Sequence, residues 1–211
     1  MPLPTRIGGF GGVDGLKTYL QNTAITHVID ATHPFAARMS MHAVQACRTL
    51  GLPLLGLTRP GWDKQMGDTW QHVPDMAGAV AALDRPAARV FLAIGRMHIA
   101  EFATRTQHHY VLRLVDPPDG VLPLPKADII VAKGPFSQVD DIVLLRERDI
   151  DIVVSKNSGG TGAYAKIAAA RELGLPVIMI DRPVQPARQE VHRIPDVMTW
   201  LRHSTATDLG V

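Results

Sequence analysis

One cysteine, Cys47, stands among 211 residues. A single thiol excludes an intrachain disulfide and leaves no thiolate cluster for zinc. It falls on a helical apolar pattern and reads as a small buried hydrophobe rather than a reactive group. Aromatic residues are only 5% of the chain, so its core has to be aliphatic, built from Val, Ile, Leu and Ala. No segment is apolar over the ~18 residues a membrane span needs, and the opening Met-Pro-Leu-Pro-Thr-Arg lacks the apolar stretch of a signal peptide. The expected location is therefore the cytoplasm. No run of like charges occurs and the net charge is only +2, which offers no tail for nucleic acid or a membrane surface.

What is present is a globular composition, 46% hydrophobic and 20% charged, at a length that suits one large or two small domains. Short apolar runs rich in β-branched residues, at 6–10, 27–31, 53–57, 89–93, 110–115, 128–132, 152–155 and 177–180, alternate with helical stretches. Those helices are expected near 14–21, 36–50, 76–83, 96–104, 137–148, 163–173 and 195–203. Continuous rather than alternating apolar strands are buried on both faces, as in a parallel sheet covered by helices, so the fold class is α/β. Ser137 followed by Asp140 opens a helix as a capping box. Gly51 and Gly174 stop helices, each with a proline two residues on.

Those two exits disclose a repeat. Residues 50–60 read LGLPLLGLTRP and residues 173–183 read LGLPVIMIDRP, each preceded by a strand, a loop and a helix. The pattern predicts two related doubly wound parallel-sheet domains, 1–86 and 87–211, joined near 84–89, with a ligand at the carboxyl ends of the strands.

The segments at those strand ends carry the candidate chemistry. Asn157, Ser158, Gly159, Gly160 and Thr161 follow a buried strand and precede an Ala-rich helix, where bare amides and the helix dipole attract an anion. Gly160 to Ala165 also fits the dinucleotide pattern GxGxxA, with Asp181 ending the next strand; Lys166 is followed by Ile167, so this is not a Walker loop. Thr32, His33, Pro34 and Phe35 sit at another strand end, with His33 either a hydrogen-bonded structural residue or a catalyst. Gly8, Gly9, Phe10 and Gly11 form a glycine loop around one aromatic, which suits a flat surface lying against a backbone. Arg38, Arg59, Arg96, Lys133 and Lys156 are basic residues expected at strand ends, a set suited to several carboxylates or phosphates. The segment 60–70 is polar and glycine-punctuated, as a lid would be.

Taken together, RIGGFGGVDGL, VIDATHPFAARMS, LLGLTRPGW, FLAIGRMHIAEF, IIVAKGPFS and VVSKNSGGTGAYAKIAAARELGLPVIMIDRP resemble the precorrin-6A reductase (cobalt-precorrin-6A reductase) family of cobalamin and porphyrin biosynthesis. The resemblance implies two Rossmann-like domains with exchanged last strands, one for NADPH and the other for much of the tetrapyrrole. It implies an oxidoreductase acting on a CH–CH group with NADP as acceptor, in which hydride reaches one ring carbon, its neighbour is protonated, and precorrin-6B or its cobalt form results. No metal or flavin is implied. On this reading Gly8, Gly9, Phe10, Gly11, Thr32, His33, Pro34 and Phe35 face the cofactor. Arg38, Arg59, Arg96, Lys133, Lys156 and the 157–161 loop hold substrate carboxylates, and His33 is the candidate proton donor. The product would pass to the next pathway enzyme; the oligomeric state is left open. Family members begin with a strand–GGT–helix segment that this sequence is expected to lack, about 30 residues of a βαβ unit. Weak NADPH binding is the corresponding expectation. A non-enzymatic two-lobed module for an anionic small molecule needs the same paired domains and basic pocket but no hydride donor, and a nucleotide-sugar or phosphosugar enzyme would use the glycine loops for phosphate.

Overall fold

The computed structural model describes residues 3–118 and 120–207. The chain opens with α1 (Gly12–Asn22), β1 (Val28–Asp30), α2 (Ala37–Leu50) and β2 (Leu54–Leu57). It continues through β3 (Thr69–Val73), α3 (Met76–Ala82), β4 (Arg89–Ala93), a 3-10 helix (Arg96–Thr104), β5 (His109–Leu114) and β6 (Ala127–Val131). α4 (Gln138–Glu147), β7 (Ile152–Lys156), α5 (Ala165–Glu172), β8 (Pro176–Ile180), β9 (Gln189–Val191) and α6 (Ile194–Thr207) complete it. Among the described residues every strand pair is parallel, in two sheets of order β1-β2-β9 and β3-β8-β7-β4-β5-β6.

Two units result, 1–59 with 184–211 and 60–183. The boundary therefore does not fall near residue 86. β3 pairs with β8 and so belongs with the second sheet, while β9 pairs with β2 and belongs with the first.

In the first unit, α1 and α2 bury one stripe each against the other, with Leu16 and Leu20 packed on Ala43, Ala46 and Cys47. Cys47 is buried as its pattern predicts, and burial pushes its thiol pKa up. α2 ends at Gly51, whose φ of 66° lets Leu52 N donate to Cys47 O at 2.9 Å. The second unit repeats this exit: Gly174 has φ 66° and Leu175 N donates to Ala170 O at 2.8 Å. In each case the returning strand pairs in parallel with the strand before the helix, β1 with β2 and β7 with β8.

The centre of the second sheet is β7 and β4, where Val90, Phe91, Val153 and Val154 are fully buried. Helices on the sheet account for the unbroken apolar runs. Ser137 caps α4, its Oγ accepting from Asp140 N at 3.1 Å.

Three expectations are corrected. Residues 6–10 form no strand but an extended lead into α1. Residues 96–104 are 3-10 rather than α-helical. β3 and β9 are strands the patterning missed, because both lie at sheet edges and carry polar residues such as Gln71, His72, Gln189 and Glu190. Among the described residues no helix is long and apolar enough to cross a membrane.

Candidate functional site

In the second sheet the chain runs β4–β5–β6 outward, then returns to place β7 on the other side of β4. The carboxyl ends of β4 and β7 thus flank a topological switch point, where connecting loops diverge and leave a crevice. Gly95 and Arg96 follow β4, Lys156 is the last residue of β7, and Lys133 follows β6 on the same edge. Arg96 and Lys133 are exposed. Lys156 is half-buried; burial lowers its pKa while the charge of Glu101 raises it, the first effect prevailing.

The loop after β7 is fastened to the segment after Arg59. Trp62 N donates to Asn157 Oδ1 at 2.8 Å, and Asn157 Nδ2 donates to Trp62 O at 2.9 Å, so one side-chain amide imitates a strand neighbour. Trp62 Nε1 donates to Gly160 O at 2.6 Å, and Gly160 N donates to Pro60 O at 3.2 Å. Gly159 has φ +68°, and a Cβ there would sit 2.1 Å from Pro60 O. Only glycine fits. Ser158 Oγ turns back to Lys156 O at 3.4 Å. The segment 60–70 is accordingly tied down at Trp62 and again at Asp68, which is buried and paired with Arg171 at 2.9 Å.

This arrangement leaves a cavity of about 570 Å³ whose walls include Trp62, Asp63, Phe136, Gly160, Thr161 and Tyr164. Of the expected residues, Gly160 and Thr161 line it. Its aromatic walls were missed, although each sits in a stretch that stood out, RPGW, KGPFS and TGAY. A second cavity, of about 150 Å³, shares Phe136 and Ala165 with it and is lined by Gly95, Arg113, Asp141 and Lys166. Arg113 grips Asp141 through both nitrogens, and its guanidinium lies 3.6 Å from the Phe136 ring centroid. Lys166 is 5% exposed, donates to Ala163 O at 2.6 Å and lies 5.0 Å from the Trp62 ring. Burial, aided by the charge of Arg113 and opposed by that of Asp141, lowers its pKa to about 8. A charged residue within the apolar strand 110–115 was the available clue to this cluster.

The first unit carries its own strand-end site. Asp30, the last residue of β1, is buried; its Oδ1 accepts from Thr32 Oγ1 at 2.6 Å and from Thr32 N at 3.0 Å, and Arg188 pairs with Oδ2. Burial pushes the Asp30 carboxyl up, but hydrogen bonds from Ser40 and Thr32 and the charge of Arg188 together hold it below the ordinary value of 3.8. This anchor fixes the loop that carries Thr32, His33, Pro34 and Phe35. His33 Nδ1 accepts from Phe35 N at 3.2 Å, which puts the ring proton on Nε2. Thr32, His33, Pro34 and Arg59 line a cavity of about 300 Å³ with Leu57 and Thr58. Arg38 is not at a strand end but is the second residue of α2, exposed.

Gly8, Gly9 and Gly11 precede α1, and a Cβ at any of them would meet nothing within 4 Å. Phe10 turns toward the helices, its ring 5.1 Å from that of Tyr19 and under the guanidinium of Arg6. α1 has no side-chain cap, so its first amides are bare.

Comparison with known proteins agrees with this architecture. Residues 1–202 match the family model described as Precorrin-6x reductase CbiJ/CobK. The chain is 58% identical over 210 residues to the precorrin-6A reductase of Rhodobacter capsulatus, covering all of this chain and 84% of that protein. It is 45% identical over 184 residues to the precorrin-6A reductase of Mycobacterium tuberculosis, covering 87% of this chain and 74% of that one. A solved structure titled "CobK precorrin-6A reductase" superposes with a TM-score of 0.94 at 58% identity, over 96% of this chain and 83% of the other. On these matches the chain belongs to the precorrin-6x reductase (CbiJ/CobK) family.

Proposed function

We propose that this chain reduces precorrin-6A, or its cobalt form, to precorrin-6B in cobalamin biosynthesis, using NADPH in the cytoplasm. The observation that carries the reading is similarity to a precorrin-6A reductase along the whole of this chain, both strand-end loop sets included.

The residues fit a dinucleotide best in the first unit. Gly8 and Gly11 have φ of +102° and +81° with open space where a side chain would stand, ahead of uncapped α1 amides that suit a phosphate. In the second unit the GxGxxA alternative is weaker, because Gly160 already uses its amide on Pro60 and its carbonyl on Trp62. Thr32, Pro34 and Phe35, held by Asp30, would give the nicotinamide end a fixed wall. The bound cofactor would supply the hydride to a ring carbon. His33, with its proton on Nε2, would protonate the neighbouring carbon. Arg59, Arg96, Lys133 and Lys156 would neutralise the acetate and propionate groups of the macrocycle, and Thr161 would hold one more; the amides of Asn157, Ser158 and Gly160 are spent on Ile180, Lys156 and Pro60. Arg38 would act at longer range from the helix surface. Orientation, charge neutralisation and exclusion of water are then the work of the protein.

The test is anaerobic incubation of the chain with NADPH and precorrin-6A. Loss of reduced-nicotinamide absorbance, matched by a product two hydrogens heavier, is expected. Retained ligand binding without nicotinamide oxidation would overturn the reading in favour of a non-enzymatic binder of an anionic small molecule.

A further inference from the structure

We propose that Lys166, backed by Arg113, is a carboxylate-receiving subsite of the second unit that holds one acidic arm of the substrate; the proposal rests on the reading of the chain as a reductase of an acidic tetrapyrrole. An ammonium has three donors. Among the described residues that of Lys166 has one hydrogen-bond acceptor, Ala163 O, and one aromatic face, Trp62. Lys166 also lines the cavity of about 150 Å³ together with Gly95, Arg113, Phe136 and Asp141.

The charge balance points the same way. Arg113 and Asp141 form a two-pronged pair and neutralise each other, and Asp141 is 2% exposed at its side chain. Among the described residues Lys166 is a buried cation with no salt bridge to a carboxylate, an arrangement that is unfavourable unless something anionic completes it. The charged groups that bear on it are Arg113 from β5 and Asp141 from α4; Asp63 lines only the neighbouring cavity. The cavity is small and lies beside the switch point, and it shares the Phe136 and Ala165 walls with the cavity of about 570 Å³. It admits a side arm and not a ring.

Only the ammonium form receives a carboxylate. With its pKa lowered to about 8, binding is present below that pH and is lost as pH rises through it. The kcat/KM of the wild-type chain for precorrin-6A should therefore fall above about pH 8, with the affinity for NADPH alone unchanged. K166M should raise KM for precorrin-6A roughly 10- to 100-fold at neutral pH, with kcat within about threefold, and should abolish the alkaline limb. K166R should keep a low KM and move that limb beyond the reach of the assay. If the wild-type chain does not reduce precorrin-6A, the functional reading fails. If it does and K166M retains both the wild-type KM and the alkaline limb, the subsite fails. Should K166M not fold, the wild-type profile decides: a kcat/KM that stays flat across pH 8 overturns the proposal.

Discussion

Asn157 offers the sharpest test of how this site is held together. N157A removes two hydrogen bonds, at 2.8 and 2.9 Å, and leaves Trp62 N and O without those partners beside a buried indole. Each such bond contributes about 0.5–1.5 kcal/mol net, more where a part-buried group is left unsatisfied, so the local cost is about 2–3 kcal/mol. Amide exchange reads this directly. Opening of the 60–62 segment should become about 30- to 150-fold easier at Trp62 and Gly160, while β4 and β7 keep their protection. N157D keeps the acceptor for Trp62 N but sets a carboxylate oxygen against Trp62 O. It should therefore open the segment at least as much, with KM for precorrin-6A raised as the cavity wall loosens. Protection at Trp62 and Gly160 within about twofold of wild type in N157A would refute the reasoning, and would return Asn157 to the role of a residue whose amide serves the ligand.

The first unit should be acid-sensitive through Asp30. Its folded pKa lies below the ordinary 3.8, so its stabilising contribution is full above that value and fades as pH falls through the folded one. D30N should cost roughly 3–5 kcal/mol at neutral pH, toward the lower end because Glu190 remains beside Arg188, and the gap to wild type should narrow in acid. Urea unfolding at neutral and acid pH measures it, and a gap independent of pH would contradict the account. G159A meets both a left-handed backbone and the Pro60 carbonyl, and a loss of about 2–4 kcal/mol in chemical denaturation is expected; an unchanged midpoint would show that the loop does not pack this way. H33Q should lower kcat roughly 100- to 10,000-fold with little change in NADPH affinity, and a kcat near that of wild type would assign the proton to another donor.

The α/β class, the parallel strands and the two matching helix exits were legible in the letters, because continuous aliphatic runs, glycine stops and prolines act within a few residues of themselves. The loops that matter could be located for the same reason, since a strand end followed by glycines and a helix start is a local pattern. The placing of β3 and β9 was not legible. Their polar, edge-strand sequences owe their conformation to partners far along the chain, β8 and β2, and that pairing moved the boundary from near residue 86 to Arg59 and Pro183. The same holds for the roles of Asn157, Trp62 and Lys166. Sequence marked the first as polar, the second as aromatic and the third as a helix residue. Only the folded chain brings an amide against a backbone 95 residues away, or closes apolar walls around an ammonium and so shifts its pKa. Short-range stereochemistry is written residue by residue, whereas burial and the electrostatics that follow from it exist only once distant segments meet.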